Sequence, residues 1–128
     1  MKDIEGIKEI KLFVDAFYDK VRKDDLLGPV FEAKLAGHWD AHLARMYDFW
    51  NTILFSQGSY KGSPYQKHET LPVKKDHFDR WLKLFEEVLR SNFEGKQTDE
   101  TIQRAKVIGW TFWSKIDQYQ LANGKEVS

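Results

Sequence analysis

The stretch YKGSPYQKHETLPVKKDHFDRWL, residues 60–82, leads from a polar loop into an amphipathic helix and places a single histidine, His68, between them. Pro72 separates the His68 segment from the helix, because proline lacks an amide hydrogen and clashes with the preceding turn. A neutral imidazole is a common metal ligand, and on a short element between two long apolar helices it can reach the space they enclose. The sequence therefore predicts that His68 is the axial ligand of a metal.

Other histidines offer alternatives. His77 lies near the start of the following helix, where it can bind a metal, cap the helix or face solvent, and local spacing does not choose between His68 and His77. His38 and His42 are four residues apart on one helix face and could form half of a two-histidine metal site. No third ligand follows in a recognised zinc pattern, so solvent exposure of one or both is the simpler interpretation.

Apolar residues recur at three- and four-residue steps in four segments, which predicts four long amphipathic helices. These stripes are Ile7, Ile10, Phe13, Val14, Phe17, Tyr18 and Val21; Trp39, Leu43, Met46, Trp50, Ile53 and Leu54; Phe78, Trp81, Leu82, Phe85, Val88 and Leu89; and Ile102, Ala105, Ile108, Gly109, Phe112, Trp113 and Ile116. Leu27-Gly28-Pro29 is predicted to stop the first helix, with Val30-Phe31 in a further short helical turn, and Thr98 to be the N-cap of the last helix. No segment alternates as a strand would, so the predicted class is all-α.

Length and composition narrow the function. A chain of 128 residues is about one domain, predicted to span 1–128 with a frayed tail over about 122–128. Lys plus Arg and Asp plus Glu are 20 each, so the chain has no electrostatic footprint for nucleic acid. The absence of cysteine excludes disulfides, zinc thiolates, iron–sulfur clusters and covalent c-type haem. Without a secretory signal or a membrane span, the expected location is the cytoplasm.

The aromatic content is high, with five Trp, five Tyr and nine Phe. A surplus of this kind suits a flat apolar ligand, although aromatic rings that simply pack together explain the composition equally well. Tyr18, His42 and Trp81 could direct polar hydrogens into one apolar space, and each taken alone is compatible with an ordinary core residue. Together with His68, they indicate a haem pocket.

The order of motifs along nearly the whole chain resembles the group III truncated haemoglobins. The motifs are Phe17-Tyr18-x-Lys20-Val21-Arg22, Leu27-Gly28-Pro29-Val30-Phe31, Trp39 with His42, Phe49-Trp50, Tyr60-x-Gly62-x-Pro64, His68-x-x-Leu71-Pro72 and Phe78-x-x-Trp81-Leu82-x-Leu84-Phe85. No single motif is diagnostic, but the ordered set with its spacing is specific. The resemblance implies a truncated globin fold, a two-over-two helical sandwich around non-covalent haem b.

The resemblance also implies roles for individual residues. His68 would be the proximal iron ligand, and Tyr18, His42 and Trp81 would form the distal set. Phe31 would pack against the haem face, and Met46, Phe49 and Trp50 would line or back the pocket. Arg45 and Lys67 are candidate partners of the haem propionates, with a solvated charged surface as the equally weighted alternative.

These roles predict tight binding of dioxygen, with carbon monoxide and nitric oxide as further ligands. Donors from Tyr18 and Trp81 would stabilise the negative charge that bound dioxygen acquires, and His42 would act as a polar gate. Each hydrogen bond to a charged group contributes about 1.5–3 kcal/mol, and about 1.4 kcal/mol changes affinity tenfold, so release should be slow. The alternatives are a haem-dependent redox enzyme, which converts nitric oxide or activates peroxide with electrons from a reductase, and a cofactor-free helical interaction module.

Overall fold

The computed structural model describes residues 1–58, 60 and 73–122, with residues 119–122 as backbone only, and all regular structure within these ranges is helical. The helices are α1 (Ile7–Lys23), α2 (Leu27–Leu35), α3 (Trp39–Phe55), α4 (Lys75–Asn92) and α5 (Lys96–Ala122). The four predicted long helices are α1, α3, α4 and α5. The His68 segment, most of the polar loop that precedes it and the tail beyond residue 122 lie outside the described residues.

The predicted end of the first helix at Leu27-Gly28-Pro29 is wrong, because these residues begin a helix of their own. α1 ends at Lys23, and Pro29 lies in the first turn of α2. Proline fits there, since the first amides of a helix have no intrahelical acceptor. A Cβ at Gly28 would lie 2.9 Å from the carbonyl oxygen of Arg22. Glycine thus allows α2 to start close against the end of α1, and Phe31 belongs to a full helix rather than to a short turn.

Asp24 fixes the corner between α1 and α2. Its Oδ2 accepts hydrogen bonds from the backbone N–H groups of Leu26 at 3.0 Å and Leu27 at 2.9 Å, which satisfies amides at the start of α2. Its Oδ1 accepts from the Arg80 guanidinium on α4. Burial by itself raises the pKa of Asp24, but the backbone hydrogen bonds and Arg80 outweigh it, so the pKa is lowered overall. One carboxylate therefore ties α4 to this corner.

The N-cap predicted at Thr98 is also wrong. α5 begins at Lys96, so Thr98 lies inside its first turn, and its hydroxyl donates to Asp3 at 2.6 Å. The carboxylate of Asp3 accepts the backbone N–H groups of Gln97 and Thr98, each at 2.8 Å. The amino-terminal segment thus supplies the cap of the last helix, which no local sequence signal could reveal.

The core lies around α1, which packs against α2, α3 and α4, while α4 also packs along α5. Three fully buried rings mark its centre: Phe85 of α4 meets Phe13 at 5.8 Å and Phe17 at 5.3 Å, both edge to face. Edge-to-face contacts of this kind add roughly 0.5–1.5 kcal/mol each beyond the buried area. None of the described helices is both long and apolar enough to cross a bilayer.

Candidate functional site

All five helices contribute to an apolar cavity beside the core. The space between its walls, with the open solvent at its mouth included, is about 920 Å³. Its walls are mostly aliphatic and aromatic, and its polar side chains among the described residues are few: Tyr18, Trp81 and His77. An apolar space with a few convergent polar groups is typical of a cofactor site.

Tyr18 of α1 is one of the polar groups in this wall, and only 7% of it is exposed. Its ring lies 4.9 Å from the ring of Phe17 and 6.1 Å from that of Phe31. Burial raises the pKa of Tyr18 well above its ordinary value of 10. The phenol therefore keeps its proton across the physiological range and remains a hydrogen-bond donor.

Trp81 of α4 lines the same cavity. Its ring stacks on Phe85 with centroids 5.6 Å apart and planes at 13°, and it meets the edge of Phe17 at 5.6 Å and 90°. Phe17 thus contacts both Tyr18 and Trp81, so a single core ring connects the two predicted donors. The structure brings these two members of the predicted distal set together.

His42 takes a different place. It is buried on α3 with 8% exposure, and its imidazole packs on the ring of Tyr18 at 4.9 Å and on that of Trp39 at 6.1 Å. It is not among the residues that line the cavity. His42 therefore contacts the predicted donor Tyr18 rather than the cavity itself.

Comparison with known proteins agrees with this arrangement. Residues 2–110 match the family model described as bacterial-like globin. The chain is 35% identical over 116 residues to the group 3 truncated haemoglobin of Campylobacter jejuni. The aligned residues cover 88% of this chain and 91% of the relative. The crystal structure of the group III truncated haemoglobin from that organism matches with a TM-score of 0.84 over 91% of this chain and 95% of the other.

The chain belongs to the group III truncated haemoglobins. The resemblance drawn from the ordered motifs is thereby confirmed, and so is the all-α truncated globin fold. Membership of the globin family implies haem binding.

The remaining predicted pocket residues of this truncated haemoglobin divide into three sets. Phe31, Met46, Phe49 and Trp50 line the cavity. Arg45 is half-buried on α3 and is not among the lining residues. Lys67 and the predicted proximal ligand His68 lie outside the described residues.

His77, the alternative ligand, lines the cavity at the start of α4. Its Nδ1 accepts the backbone N–H of Lys74 at 3.0 Å. In a neutral imidazole whose Nδ1 is an acceptor, Nε2 carries the proton. A metal ligand needs a free lone pair, so this hydrogen bond favours a capping role for His77.

The two-histidine interpretation of His38 and His42 receives no support from burial. His38 is exposed whereas His42 is buried. No group of three or more His, Asp or Glu side chains that could hold a metal ion occurs in the described part of the chain. Here His42 packs within the aromatic cluster on Tyr18.

Sequence reasoning missed several wall residues of this truncated haemoglobin. Ile108, Gly109, Phe112 and Ile116 were identified only as the apolar stripe of the last helix, and in the structure this stripe faces the cavity. Val73 before α4 and Leu27 at the start of α2 also line it. Periodicity indicates that a face is buried, but it does not distinguish a face that lines a cavity from one that fills the core.

Proposed function

We propose that this truncated haemoglobin holds haem b non-covalently and binds dioxygen tightly through Tyr18 and Trp81. The observation that supports it is that both donors line one apolar cavity and contact the same ring, Phe17. Haem, when bound, would supply an iron centre that binds a diatomic ligand such as dioxygen, carbon monoxide or nitric oxide. The protein supplies the walls, the proximal ligand and the distal donors.

The residues of the cavity fit the cofactor. A flat, largely apolar ring is suited to walls of aromatic and aliphatic side chains, and the chain has no cysteine to attach it covalently. In our proposal Phe31 packs against one face, Met46, Phe49 and Trp50 form the adjoining wall, and Arg45 and Lys67 bind the propionates. His68 is the proposed proximal ligand, because the imidazole of His77 is already bonded to a backbone amide.

Tight binding follows from the chemistry of the donors. The buried phenol of Tyr18 stays protonated, and the indole of Trp81 is a donor at every accessible pH. Two such hydrogen bonds to a ligand with partial negative charge slow its release by orders of magnitude, at about 1.5–3 kcal/mol each. A protein of this kind retains oxygen or acts on it, rather than delivering it. His42 is the proposed gate, because a movement of its ring would alter the packing around Tyr18.

The test is the optical spectrum of haem-supplied protein in the ferric, ferrous and ferrous carbon monoxide states. Wild type is compared with His68→Ala and His77→Ala. We expect globin-like Soret shifts in wild type and in His77→Ala, and a lost or altered band in His68→Ala. A wild-type protein that takes up no stoichiometric haem would refute the proposal and favour a cofactor-free interaction module. An altered band in His77→Ala alone would transfer the proximal role to His77.

The same pair of donors favours a second function, a redox reaction in which nitric oxide or peroxide is converted at the haem. Hydrogen-bond donors beside the ligand also stabilise charge that develops during such reactions. This function requires an electron-donating reductase, for which we propose a separate protein in the cytoplasm. Stopped-flow turnover with nitric oxide or peroxide distinguishes the two, because a binding protein reacts once and an enzyme turns over repeatedly when a reductant is supplied.

A further inference from the structure

Three side chains from three helices meet at the junction of α1, α2 and α3, and we name them the distal clamp: Arg22, Glu32 and Trp39. The indole Nε1–H of Trp39 donates to Oε1 of Glu32 at 3.1 Å. The guanidinium of Arg22 lies over the Trp39 ring, with Cζ 4.4 Å from the centroid, and its Nε is 3.8 Å from the same Glu32 oxygen. The ring of Trp39 is therefore held at its edge by a carboxylate and on its face by a cation.

The clamp touches the distal donor directly. Trp39 is 8% exposed, and its ring lies 6.0 Å from that of Tyr18 and 6.1 Å from that of His42. Tyr18 and Arg22 are one turn apart on α1, so Trp39 spans both of them. The ring of His42 also packs on the Tyr18 ring, with the two centroids 4.9 Å apart. Two side chains from the first turn of α3 therefore pack against the Tyr18 ring.

The three side chains of the clamp must act together to hold the Trp39 ring in place. The Arg22–Glu32 ion pair is about half exposed, and such a pair contributes little alone. The indole bond to a carboxylate is charge-assisted, however, and a cation over the face of a tryptophan ring is attracted to it even at an exposed site. Both interactions act on the same ring, so the loss of one loosens the contact that the other maintains.

We propose that the distal clamp is a positioning element for Tyr18, and that Glu32 and Trp39 thereby control how tightly the globin holds its ligand. The inference rests on the proposed function, because it concerns the geometry of the same donor. The strength of a hydrogen bond falls steeply as its angle and distance depart from the optimum. A small shift of the Tyr18 ring therefore changes ligand release, although neither Glu32 nor Trp39 lines the cavity.

The test uses Glu32→Ala, Trp39→Phe and the double variant in the full chain. Trp39→Phe keeps an aromatic ring but removes the indole donor and part of the buried ring, and Glu32→Gln keeps an acceptor without the charge. The matched control is Glu87→Ala, since Glu87 is also about half exposed and lies 3.8 Å from one cation, Lys20, away from the clamp. The readouts are the dissociation rate of dioxygen, the stretching frequency of bound carbon monoxide, and the indole ¹⁵N–H resonances of the haem-free protein.

We expect Glu32→Ala and Trp39→Phe each to speed dioxygen release about three- to tenfold and to shift the carbon monoxide frequency towards the value of Tyr18→Phe. The double variant should be no faster than the quicker single variant, because both changes break the same contact. Glu32→Gln should restore most of the wild-type rate, and Glu87→Ala should match wild type. In the haem-free protein, Glu32→Ala should shift one indole signal, which Trp39→Phe identifies by deleting it.

Failure of the inference is distinguishable from failure of the proposed function. If wild type binds haem and releases dioxygen slowly while folded Glu32→Ala and Trp39→Phe keep its rate and its carbon monoxide frequency, the inference alone is overturned. An unchanged Trp39 indole signal in Glu32→Ala would overturn the clamp in the haem-free protein as well. A wild type without haem uptake would overturn the proposed function itself. If Trp39→Phe does not fold, the glutamate variants decide the question.

Discussion

The imidazole of His42 stands edge-on to the phenol of Tyr18, with ring centroids 4.9 Å apart and planes at 87°. Tyr18 lines the cavity and His42 does not. The two residues were predicted as members of one distal set, yet only one of them lines the cavity. In the proposed function, Tyr18 would donate to a bound ligand and His42 would act through its contact with Tyr18.

This difference predicts the effects of three substitutions on dioxygen release. Tyr18→Phe and Trp81→Phe each remove a donor from the cavity wall, so each should raise the dissociation rate about tenfold or more. His42→Leu removes no group that lines the cavity, so it should raise the dissociation rate less than Tyr18→Phe or Trp81→Phe does. Flash photolysis and stopped-flow mixing measure these rates. A rate in Trp81→Phe equal to wild type would refute the role of the indole, and a larger effect of His42→Leu would place that imidazole at the ligand.

The protonation state of Tyr18 predicts how ligand release depends on pH. Burial raises the pKa of the phenol, so the donor form persists at and above the usual tyrosine value. The dissociation rate of dioxygen should therefore be constant from about pH 6 to about pH 10, whereas a phenol of ordinary pKa would lose its donor near pH 10. Stopped-flow rates across this range test it, with Tyr18→Phe as the control for other titrations. A rise centred near pH 10 in wild type alone would contradict the prediction.

The contact between Asp3 and the start of α5 predicts a loss of stability. Asp3→Ala leaves the amides of Gln97 and Thr98 and the buried Thr98 hydroxyl without their acceptor. Loss of a helix cap costs about 0.5–2 kcal/mol, which urea denaturation at neutral pH can measure. Asp19→Ala is the control, because the ion pair of Asp19 with Lys23 is exposed. Equal stabilities of the two variants would show that the cap contributes nothing.

The same cap should weaken in acid. Burial raises the pKa of Asp3, but the hydrogen bonds from the Thr98 hydroxyl and the surrounding backbone outweigh it, so the pKa in the folded state is lowered. A lowered folded-state pKa adds stability above the unfolded-state pKa, and that stability is lost as the pH falls through the folded-state value. The difference between wild type and Asp3→Ala should therefore be greatest at neutral pH and shrink below about pH 4. A difference that stays constant from neutral pH down to acid would contradict this.

Two helical glycines should respond in opposite ways to alanine. At Gly28 a Cβ would lie 2.9 Å from the Arg22 carbonyl oxygen, so Gly28→Ala must push α2 away from α1 and should lower the free energy of unfolding. At Gly109 the three atoms nearest to an added Cβ would be Cδ2, Cδ1 and Cγ of Leu82, at 3.5–3.6 Å, which is ordinary van der Waals contact. Gly109→Ala should therefore raise the free energy of unfolding by up to about 1 kcal/mol, because alanine has a higher helix propensity than glycine. Thermal and urea unfolding compare the two, and destabilisation by both would show that α4 and α5 lie closer than described.

The sequence by itself determined the four long helices and which of their faces are buried, although not α2. In α1, the spacing of Ile10, Phe13, Phe17 and Val21 is a local property, because residues three and four apart share a helix face wherever the helix lies. The order and spacing of the motifs along the chain also predicted the family correctly. Phe31, Met46, Phe49 and Trp50 were predicted as pocket residues and line the cavity.

Only the tertiary structure decided which buried groups face the cavity and which hold other groups in place. The cap of α5 comes from Asp3, 95 residues before Thr98. The residues around Gly28, which were predicted to end a helix, begin α2 instead, because Asp24 accepts the backbone N–H groups of Leu26 and Leu27. The packing of His42 on Tyr18 and the clamp around Trp39 likewise depend on how α1, α2 and α3 meet. Periodicity reports contacts within one turn of a helix, whereas these interactions join residues on different helices, and the packing of the folded chain alone brings them together.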